Sequence, residues 1–470
     1  MTHDGVEARF PDAEYLVLSS RLIPDLDGGY TLATLARARQ MAEAGVHGGR
    51  GPLLLTVDPG SAADHTQHRA AFLERGRIAD SGVMRNLFDE AAAPSGGAAQ
   101  WLRDASHPGE PDPALEYRAV TDAASRPVVD LPVIVGDPDW HTTTAPIVVR
   151  GDDGEVVGAV DGFGALYRAW LEHVVDGVRA RDSDLPVVVV CESRQLGELL
   201  VDWNDPGVRV LHAIHTIHLE PPYTPDAPMN ALWSRWFGVA DRFDAVLWPT
   251  HAQRADVVAR FGPSDTHVVV PHGVAPAASG PDRPVRVPGR VVMLNRLAPG
   301  KRIDHAIRAF RDVAERVPQA RLDIFGDGPE RTRLDALVRE LGMGGWVTVH
   351  GPSDRVADEL ATASVFLSTS AYEGQGLAIV EALADGCPVV SYAAPYGPRE
   401  LLADGGGVLV ADADESALAD ALVCVLTDAD LHARLSREAV VAAAAVDPDH
   451  AMAALAEVAN AALARPSRRC

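Results

Sequence analysis

The chain has 470 residues, which is more than one ordinary domain holds and predicts two or three domains. Its composition is that of a globular protein, and the formal net charge of -24 disfavours nucleic acid and anionic membrane surfaces as partners. No apolar run is long enough to predict a transmembrane helix, and the first residues do not resemble a signal peptide. The four cysteines lack paired spacing, which indicates a reducing compartment and a cytoplasmic protein.

The chain opens with alternating strands and helices. "EYLVLSS" predicts a buried strand, Gly28 and Gly29 form a glycine loop before a predicted helix, and "GPLLLTVD" predicts a second buried strand. This order of elements predicts a parallel, doubly wound sheet.

The pattern changes between about residues 91 and 164, which we interpret as an antiparallel β insertion. There, "APIVVRGDDGEVVGAVDG" predicts a hairpin that turns at Asp153 and Gly154 through a type I′ pair. The insertion belongs to a predicted N-terminal domain of residues 1–275. Residues 276–289, rich in Pro, Gly and Ala, predict an interdomain linker.

After the linker the alternation restarts. It predicts a second Rossmann-like domain over residues 290–447, with a closing helix and tail at 448–470. Two such domains facing each other leave a cleft at the carboxyl ends of both sheets, where α/β proteins place ligands. The fold class is therefore α/β.

The segment "AYEGQGLAIVEALADG" places Glu373 just after a predicted strand and Glu381 within a predicted helix. Gly374 and Gly376 allow the backbone to approach a ligand closely. The helix begins near Gly376 and Leu377, and its unpaired N–H groups favour an anion. Carboxylates bind vicinal hydroxyls, so the combination predicts a nucleotide-sugar site. Two solvated surface acids are the alternative, but an unpaired carboxylate within "LAIVEALA" would be costly.

A basic pair precedes this segment. Arg296 follows a predicted strand, and Lys301, the single lysine among 42 basic residues, comes five residues later. A diphosphate leaving group needs cations because its charge grows as the sugar bond breaks, and a compact ammonium suits that purpose. A solvated basic turn is the alternative, and the uniqueness of Lys301 favours the phosphate site.

Together these motifs resemble those of retaining glycosyltransferases of family 4, which have the GT-B fold. Glu373 and Glu381 match the family's Glu-x7-Glu motif, and Arg296 and Lys301 match its basic pair. The longer stretch "AYEGQGLAIVEALADGCPVVSYAAPYGPREL" is similar to a narrower group, the poly(glycerol-phosphate) α-glucosyltransferases and wall teichoic acid α-glycosyltransferases. That group also carries an antiparallel β insertion. Gln375 stands where many family members have an aromatic residue.

The resemblance implies a role for each of these residues. Arg296 and Lys301 are expected to bind the diphosphate, Glu381 the ribose hydroxyls and Glu373 the transferred sugar. The backbone that supports the phosphates and the sugar is expected to comprise Gly374, Gln375, Gly376 and Leu377.

In the first domain, "HAIHTIH" contains His212, His215 and His218, and each of them could equally be a core or surface histidine. The resemblance implies that His215 contacts the donor sugar. His212 is held in reserve, and His218 is expected to be structural. Gly28 and Gly29 are expected either to lie near the donor phosphate and acceptor or to form only a tight helix cap.

We therefore expect a metal-independent glycosyltransferase that moves a hexose or N-acetylhexosamine from a UDP-sugar to a hydroxyl, without a further cofactor. The expected acceptor is a polyol-phosphate polymer, another glycan or a protein, and a homo-oligomer stays open. Two alternatives remain. One is a non-catalytic GT-B partner or glycan-binding protein of a transferase complex, and the other is a GT-B sugar-nucleotide epimerase or phosphorylase.

Overall fold

The structure is a computed structural model that describes residues 9–26, 28–277 and 284–470. Within these ranges the strands are β1 (Glu14–Ser19), β2 (Leu53–Thr56), β3 (Met84–Asn86), β4 (Glu116–Thr121), β5 (Pro127–Val133), β6 (Pro146–Arg150), β7 (Val156–Asp161), β8 (Val187–Cys191), β9 (Val208–Ala213), β10 (Ala245–Trp248), β11 (His267–Val269), β12 (Arg290–Leu294), β13 (Arg321–Phe325), β14 (Val347–Val349), β15 (Val365–Ser368), β16 (Val389–Tyr392) and β17 (Gly407–Val410).

The α-helices in the same ranges are α1 (Gly29–Glu43), α2 (Ala62–Glu74), α3 (Leu87–Ala91), α4 (Gln100–Asp104), α5 (Gly162–Arg179), α6 (Arg194–Leu199), α7 (Ala231–Phe237), α8 (His251–Phe261), α9 (Ile303–Arg316), α10 (Arg331–Glu340), α11 (Val356–Thr362), α12 (Leu377–Ala384), α13 (Gly397–Leu401), α14 (Glu415–Thr427), α15 (Ala429–Ala444) and α16 (Pro448–Leu463).

Two parallel sheets form the two halves of the molecule. The first has the order β11-β10-β9-β8-β1-β2-β3 and the second the order β14-β13-β12-β15-β16-β17. In the first, β8 reads "VVVVC" and is buried along its whole length, as expected for a parallel strand with helices on both faces. The winding direction reverses between β1 and β8 and between β12 and β15, so both sheets are doubly wound, as predicted. Open α/β sheets bind ligands at such reversals.

The third sheet is the predicted antiparallel insertion, with the order β4-β5-β6-β7. Its last hairpin confirms the turn near Asp153 and Gly154, but the type I′ prediction is wrong because that turn needs positive φ at both residues. Among the described residues only Gly154 of this pair has positive φ, at 84°. Gly154 N–H donates to Gly151 at 3.1 Å, which makes a type I turn followed by a left-handed glycine.

The closing helix returns to the first domain. On α16, Ala451, Met452 and Leu455 are buried in the apolar cluster that contains Leu35 of α1. By length and composition alone, Ala429–Leu463 could cross a membrane. However, this stretch is divided into α15 and α16, and its buried faces belong to the cores of different domains. Packing therefore accounts for part of its apolar composition, whereas Val440 and Val441 on α15 are exposed.

The predicted linker at residues 276–289 lies partly outside the described residues, because 278–283 are not included. The described chain on its C-terminal side leads into β12, and just before that strand Arg286 donates to the carbonyl of Ala363 at 2.6 Å. The domain boundaries stay predictions.

Candidate active site

The switch point of the second sheet brings Lys301 and Glu373 together. Lys301 lies in the turn after β12, and Glu373 lies in the loop after β15. Hydrogen bonds join the two segments: the Ala371 N–H donates to the Gly300 carbonyl at 2.8 Å, and the Thr369 hydroxyl donates to the Lys301 carbonyl at 2.8 Å. The side chains then meet, with Lys301 Nζ at 2.6 Å from Glu373 Oε1.

Glu373 is held by a second donor as well. The Ser370 hydroxyl donates to the same Oε1 at 2.6 Å. The side chains of Lys301 and Glu373 are 27% and 16% exposed, so both groups are partly desolvated but reachable from solvent. One carboxylate oxygen carries both contacts, which leaves the other oxygen available to accept a hydroxyl.

Arg296 occupies the same loop as Lys301 but does not join this pair. The loop is fixed by its backbone, since the Leu297 N–H donates to the Asp327 carbonyl at 2.8 Å. The Arg296 residue is exposed. In the part of the chain that the structure describes, we find no ion pair of its guanidinium.

The segment of residues 372–376, which we call the donor loop, leads into α12. Gly376 has a φ of 85° and precedes the helix without a side-chain cap, so the first N–H groups of α12 keep their hydrogen-bonding capacity. A Cβ added to Gly374 would lie 3.1 Å from the carbonyl oxygen of His215. The donor loop therefore touches the first domain through bare backbone at Gly374.

Glu381 lies one turn into α12 and is half-buried. Burial raises its pKa to about 7, and the opposing charge of Arg77 in the first domain offsets part of this effect. Among the described residues of its own domain this carboxyl group has no hydrogen-bond partner, and a carboxyl group that is costly to ionise fits a site that a ligand completes.

The glycine loop of the first domain faces α12. Gly28 has a φ of 51° and precedes α1 without a side-chain cap. A Cβ added to Gly29 would lie 3.7 Å from Leu377 Cδ1 at the start of α12. Two helix N-termini thus meet at the domain boundary, and both present positive dipole ends.

His215 follows β9 and belongs to a charged cluster that the sequence did not reveal. Its Nε2 lies 2.5 Å from Glu192 Oε2, and Glu192 Oε1 lies 2.8 Å from Arg37 Nε. Although burial opposes it, the charge of Arg37 and the bond to His215 lower the pKa of Glu192 to about 2. An ionised Glu192 therefore orients the imidazole and keeps a proton on Nε2.

This cluster continues to His272, which the sequence also did not single out. The His272 ring stacks on that of His215 with centroids 4.7 Å apart, and the Arg37 guanidinium donates to His272 Nδ1 at 3.1 Å. Burial, aided by the charges of His215 and Arg37, holds the pKa of His272 well below its usual range. Glu192 ends the buried run "VVVVCE", which was the available signal, because ligand residues follow parallel strands.

The structure corrects the reserve role of His212 and restricts that of Gln375. His212, the reserve residue, is fully buried and packs against Trp236 and Phe243, with ring centroids 5.4 and 4.9 Å away. It points into the core because side chains alternate along β9. The Gln375 side chain is 4% exposed and both of its amide atoms are used by the His272 backbone, so the side chain is not free to bind a ligand, and the predicted role of its backbone stays a prediction.

His218 is buried, as its predicted structural role requires, and its ring lies parallel to Tyr396 of the second domain at 6.1 Å. Among the described residues, no group of three His, Cys, Asp or Glu is placed to hold a metal ion. The absence of a catalytic metal stays a prediction.

Comparison with solved structures identifies the fold. The pneumococcal O-GlcNAc transferase GtfA, solved in complex with UDP and GlcNAc, superposes with a TM-score of 0.74 at 16% identity, over 96% of this chain and 100% of that one. At this identity the likeness establishes the fold, which is GT-B, with two Rossmann-like domains as predicted.

Sequence comparison finds a protein family for the C-terminal part of the chain. Residues 287–440 match the family model described as "Glycosyl transferases group 1". This part of the chain, which contains Lys301, Glu373 and Glu381, is therefore a glycosyl transferase group 1 domain.

Two curated relatives match parts of the chain. Poly(glycerol-phosphate) alpha-glucosyltransferase of Bacillus subtilis is 32% identical over 311 residues, which are 64% of this chain and 42% of that protein. Exopolysaccharide phosphotransferase SCO2592 of Streptomyces coelicolor is 40% identical over 140 residues, which are 29% of this chain and 15% of that protein. The chain thus spans less than half the length of these relatives.

Proposed function

We propose that the chain is a retaining glycosyltransferase that moves a hexose or N-acetylhexosamine from a UDP-sugar to an acceptor hydroxyl. One observation carries the proposal. The Lys301 ammonium and the Glu373 carboxylate meet at 2.6 Å in a loop whose next residue, Gly374, lies against the His215 carbonyl of the other domain. A phosphate-binding cation, a hydroxyl-binding acid and the first domain thereby share one interdomain site.

The diphosphate would lie near Lys301 and the start of α12. An ammonium has three N–H donors, and Glu373 uses one of them, so the others remain for phosphate oxygens. The uncapped N-terminus of α12 and that of α1 add backbone donors and positive dipole ends. These fixed charges stabilise the leaving group most when its negative charge is greatest, which is the requirement for catalysis.

The two ends of the donor would be held by the acids. The Glu373 oxygen that neither Lys301 nor Ser370 contacts accepts a hydroxyl of the transferred sugar, and Glu381 accepts the ribose hydroxyls. Arg296, exposed and reachable, adds a second cation on the diphosphate. In a front-side reaction the departing diphosphate itself takes the acceptor proton, and the glutamates position hydroxyls without attacking.

The acceptor we propose is a polyol-phosphate polymer. Support comes from the Bacillus subtilis relative, which is a poly(glycerol-phosphate) alpha-glucosyltransferase. The net charge of -24 repels a polyanion at long range. The acceptor is therefore expected to bind through local hydrogen bonds, and added salt should weaken its binding little. The cytoplasmic location remains part of this proposal.

The experiment is a transfer assay with UDP-glucose and UDP-N-acetylglucosamine, each with and without poly(glycerol phosphate). Lys301→Ala should lower kcat by about 10² to 10³, the scale for losing a preorganised charge partner. Arg311→Ala, at an exposed guanidinium on α9, is the control and should leave kcat unchanged. An unchanged kcat in Lys301→Ala contradicts the assignment, and an epimerised donor in the absence of acceptor identifies an epimerase.

A further inference from the structure

The Gln375 side chain leaves its own domain and binds the backbone of the other. Its Oε1 accepts from the His272 N–H at 2.7 Å, and its Nε2 donates to the His272 carbonyl at 2.9 Å. The N–H and the carbonyl of one residue, His272, use both polar atoms of the amide, which fixes the amide's orientation because N–H must face oxygen. We call this pair of hydrogen bonds the interdomain clasp.

The clasp joins the two parts of the site that must act together. On one side, Gln375 lies two residues after Glu373 in the donor loop. On the other, the His272 ring stacks on His215 and accepts a hydrogen bond from Arg37. Any displacement of the donor loop relative to the first domain therefore breaks bonds to the residue that packs directly against His215.

The backbone around the clasp has little room to adapt. A Cβ added to Gly374 would lie 3.1 Å from the His215 carbonyl oxygen, and one added to Gly397 would lie 1.8 Å from the Gln375 carbonyl oxygen. The donor loop is thus enclosed between the first domain and the start of α13. A loop enclosed in this way transmits the domain arrangement to Glu373.

Glu400 makes a second attachment between the same domains. Its carboxylate accepts from the N–H groups of His251 at 3.1 Å and Ala252 at 2.8 Å, and so caps α8 of the first domain from outside. The N-terminal end of a helix favours a carboxylate. Two attachments at different places restrict rotation of one domain against the other.

We propose that Gln375 is a positioning residue, whose clasp on His272 sets the separation of Glu373 and His215 across the cleft. The inference rests on the proposed function, because those two residues hold the donor sugar only if a donor binds there. The Gln375 side chain is directed at the His272 backbone, and both of its polar atoms are used there. Its loss should therefore lower kcat far more than it weakens UDP binding.

The chain provides its own reporters for the domain arrangement. Cys424 on α14 and Cys470 in the tail are exposed, whereas Cys191 and Cys387 are buried. The tail is fixed to the first domain, because the neighbouring Arg469 pairs with Asp244. Spin labels on the two exposed cysteines therefore report the distance between the domains by pulsed electron paramagnetic resonance.

The test compares Gln375→Met, which keeps the length and removes both hydrogen bonds, with Gln375→Glu, which can still accept from the His272 N–H. Gln319→Met, at an exposed position of the same domain, is the matched control. We expect Gln375→Met to broaden the distance distribution and to lower kcat by about 10², the scale for a displacement near 1 Å. Gln375→Glu should retain more activity than Gln375→Met, and the control should match wild type.

UDP affinity, measured by calorimetry, should stay within about threefold of wild type in every variant. Two results would overturn the proposal: an unchanged distance distribution in Gln375→Met, or a loss of UDP affinity as large as the loss of kcat. Failure of the proposed function is separate. In that case the wild-type protein would transfer no sugar from any UDP-sugar. The distance measurement would still show whether the interdomain clasp fixes the arrangement of the domains.

Discussion

Glu381 provides a prediction that needs no substrate. Its carboxyl is half-buried on α12, and burial raises its pKa from 4.5 to about 7. The folded protein therefore holds this proton more tightly than the unfolded chain does. At low pH Glu381 is protonated in both states and does not reduce the free energy of unfolding. As the pH rises from the pKa of the unfolded state toward that of the folded state, the unfolded chain loses this proton first, and stability is lost. Glu381→Gln removes the ionisation and with it this loss.

The size of the effect follows from the two pKa values. Each pKa unit corresponds to about 1.4 kcal/mol, so full ionisation costs about 3 kcal/mol. Between about pH 5 and about pH 8 the cost grows by about 2–3 kcal/mol. The stability of Glu381→Gln relative to wild type should rise by that amount over the same interval.

The assay is the thermal midpoint of wild type and Glu381→Gln at several pH values without ligand. A domain of this size shifts by roughly 2 °C for each kcal/mol, so the midpoint difference should grow by about 5 °C from about pH 5 to about pH 8. Glu457→Gln on α16, at an exposed position, is the control and should show no trend. A constant difference between wild type and Glu381→Gln would refute the burial argument.

Three further predictions concern stability and the domain contact. Glu192→Gln should destabilise the protein by about 3–5 kcal/mol in urea unfolding, because it leaves a buried guanidinium unpaired, and an unchanged midpoint contradicts this. Gly374→Ala should lower kcat about tenfold at an unchanged thermal midpoint. The reason is that the new methyl group would lie 3.1 Å from the His215 carbonyl oxygen and displace the donor loop. Full activity of this variant would contradict the prediction. Arg469→Met should cost about 3–5 kcal/mol by removing the buried partner of Asp244, and should leave UDP binding intact; loss of UDP binding without loss of stability contradicts it.

The sequence predicted the parts of the fold that depend on local pattern. Buried runs such as "VVVVC" alternate with amphipathic helices, and this alternation leads directly to doubly wound sheets. Glu373 and Lys301 could be predicted as neighbours because both come soon after strands, and residues that follow parallel strands converge at one edge of a sheet. The Lys301–Glu373 contact is the outcome of that rule.

The remainder depended on contacts that no local pattern encodes. Gln375 lies in a glycine-rich loop typical of ligand binding, yet its amide pairs with His272, 103 residues away. Likewise, Thr250 caps α8 by accepting from the Gln253 N–H, but the preceding N–H groups, those of His251 and Ala252, donate to Glu400 of the other domain. Such pairings arise from how the domains meet, and the sequence alone does not fix that arrangement.

The central claim is that Lys301 binds the donor diphosphate, and the single lysine allows a direct measurement. An amine-reactive acylating reagent can modify only Lys301 and the α-amino group of the chain, so the α-amino group is an internal control. We predict that UDP slows acylation of Lys301 at least about tenfold at saturation, measured by peptide mass spectrometry, and leaves the α-amino rate unchanged. Equal acylation of Lys301 with and without saturating UDP would contradict the account.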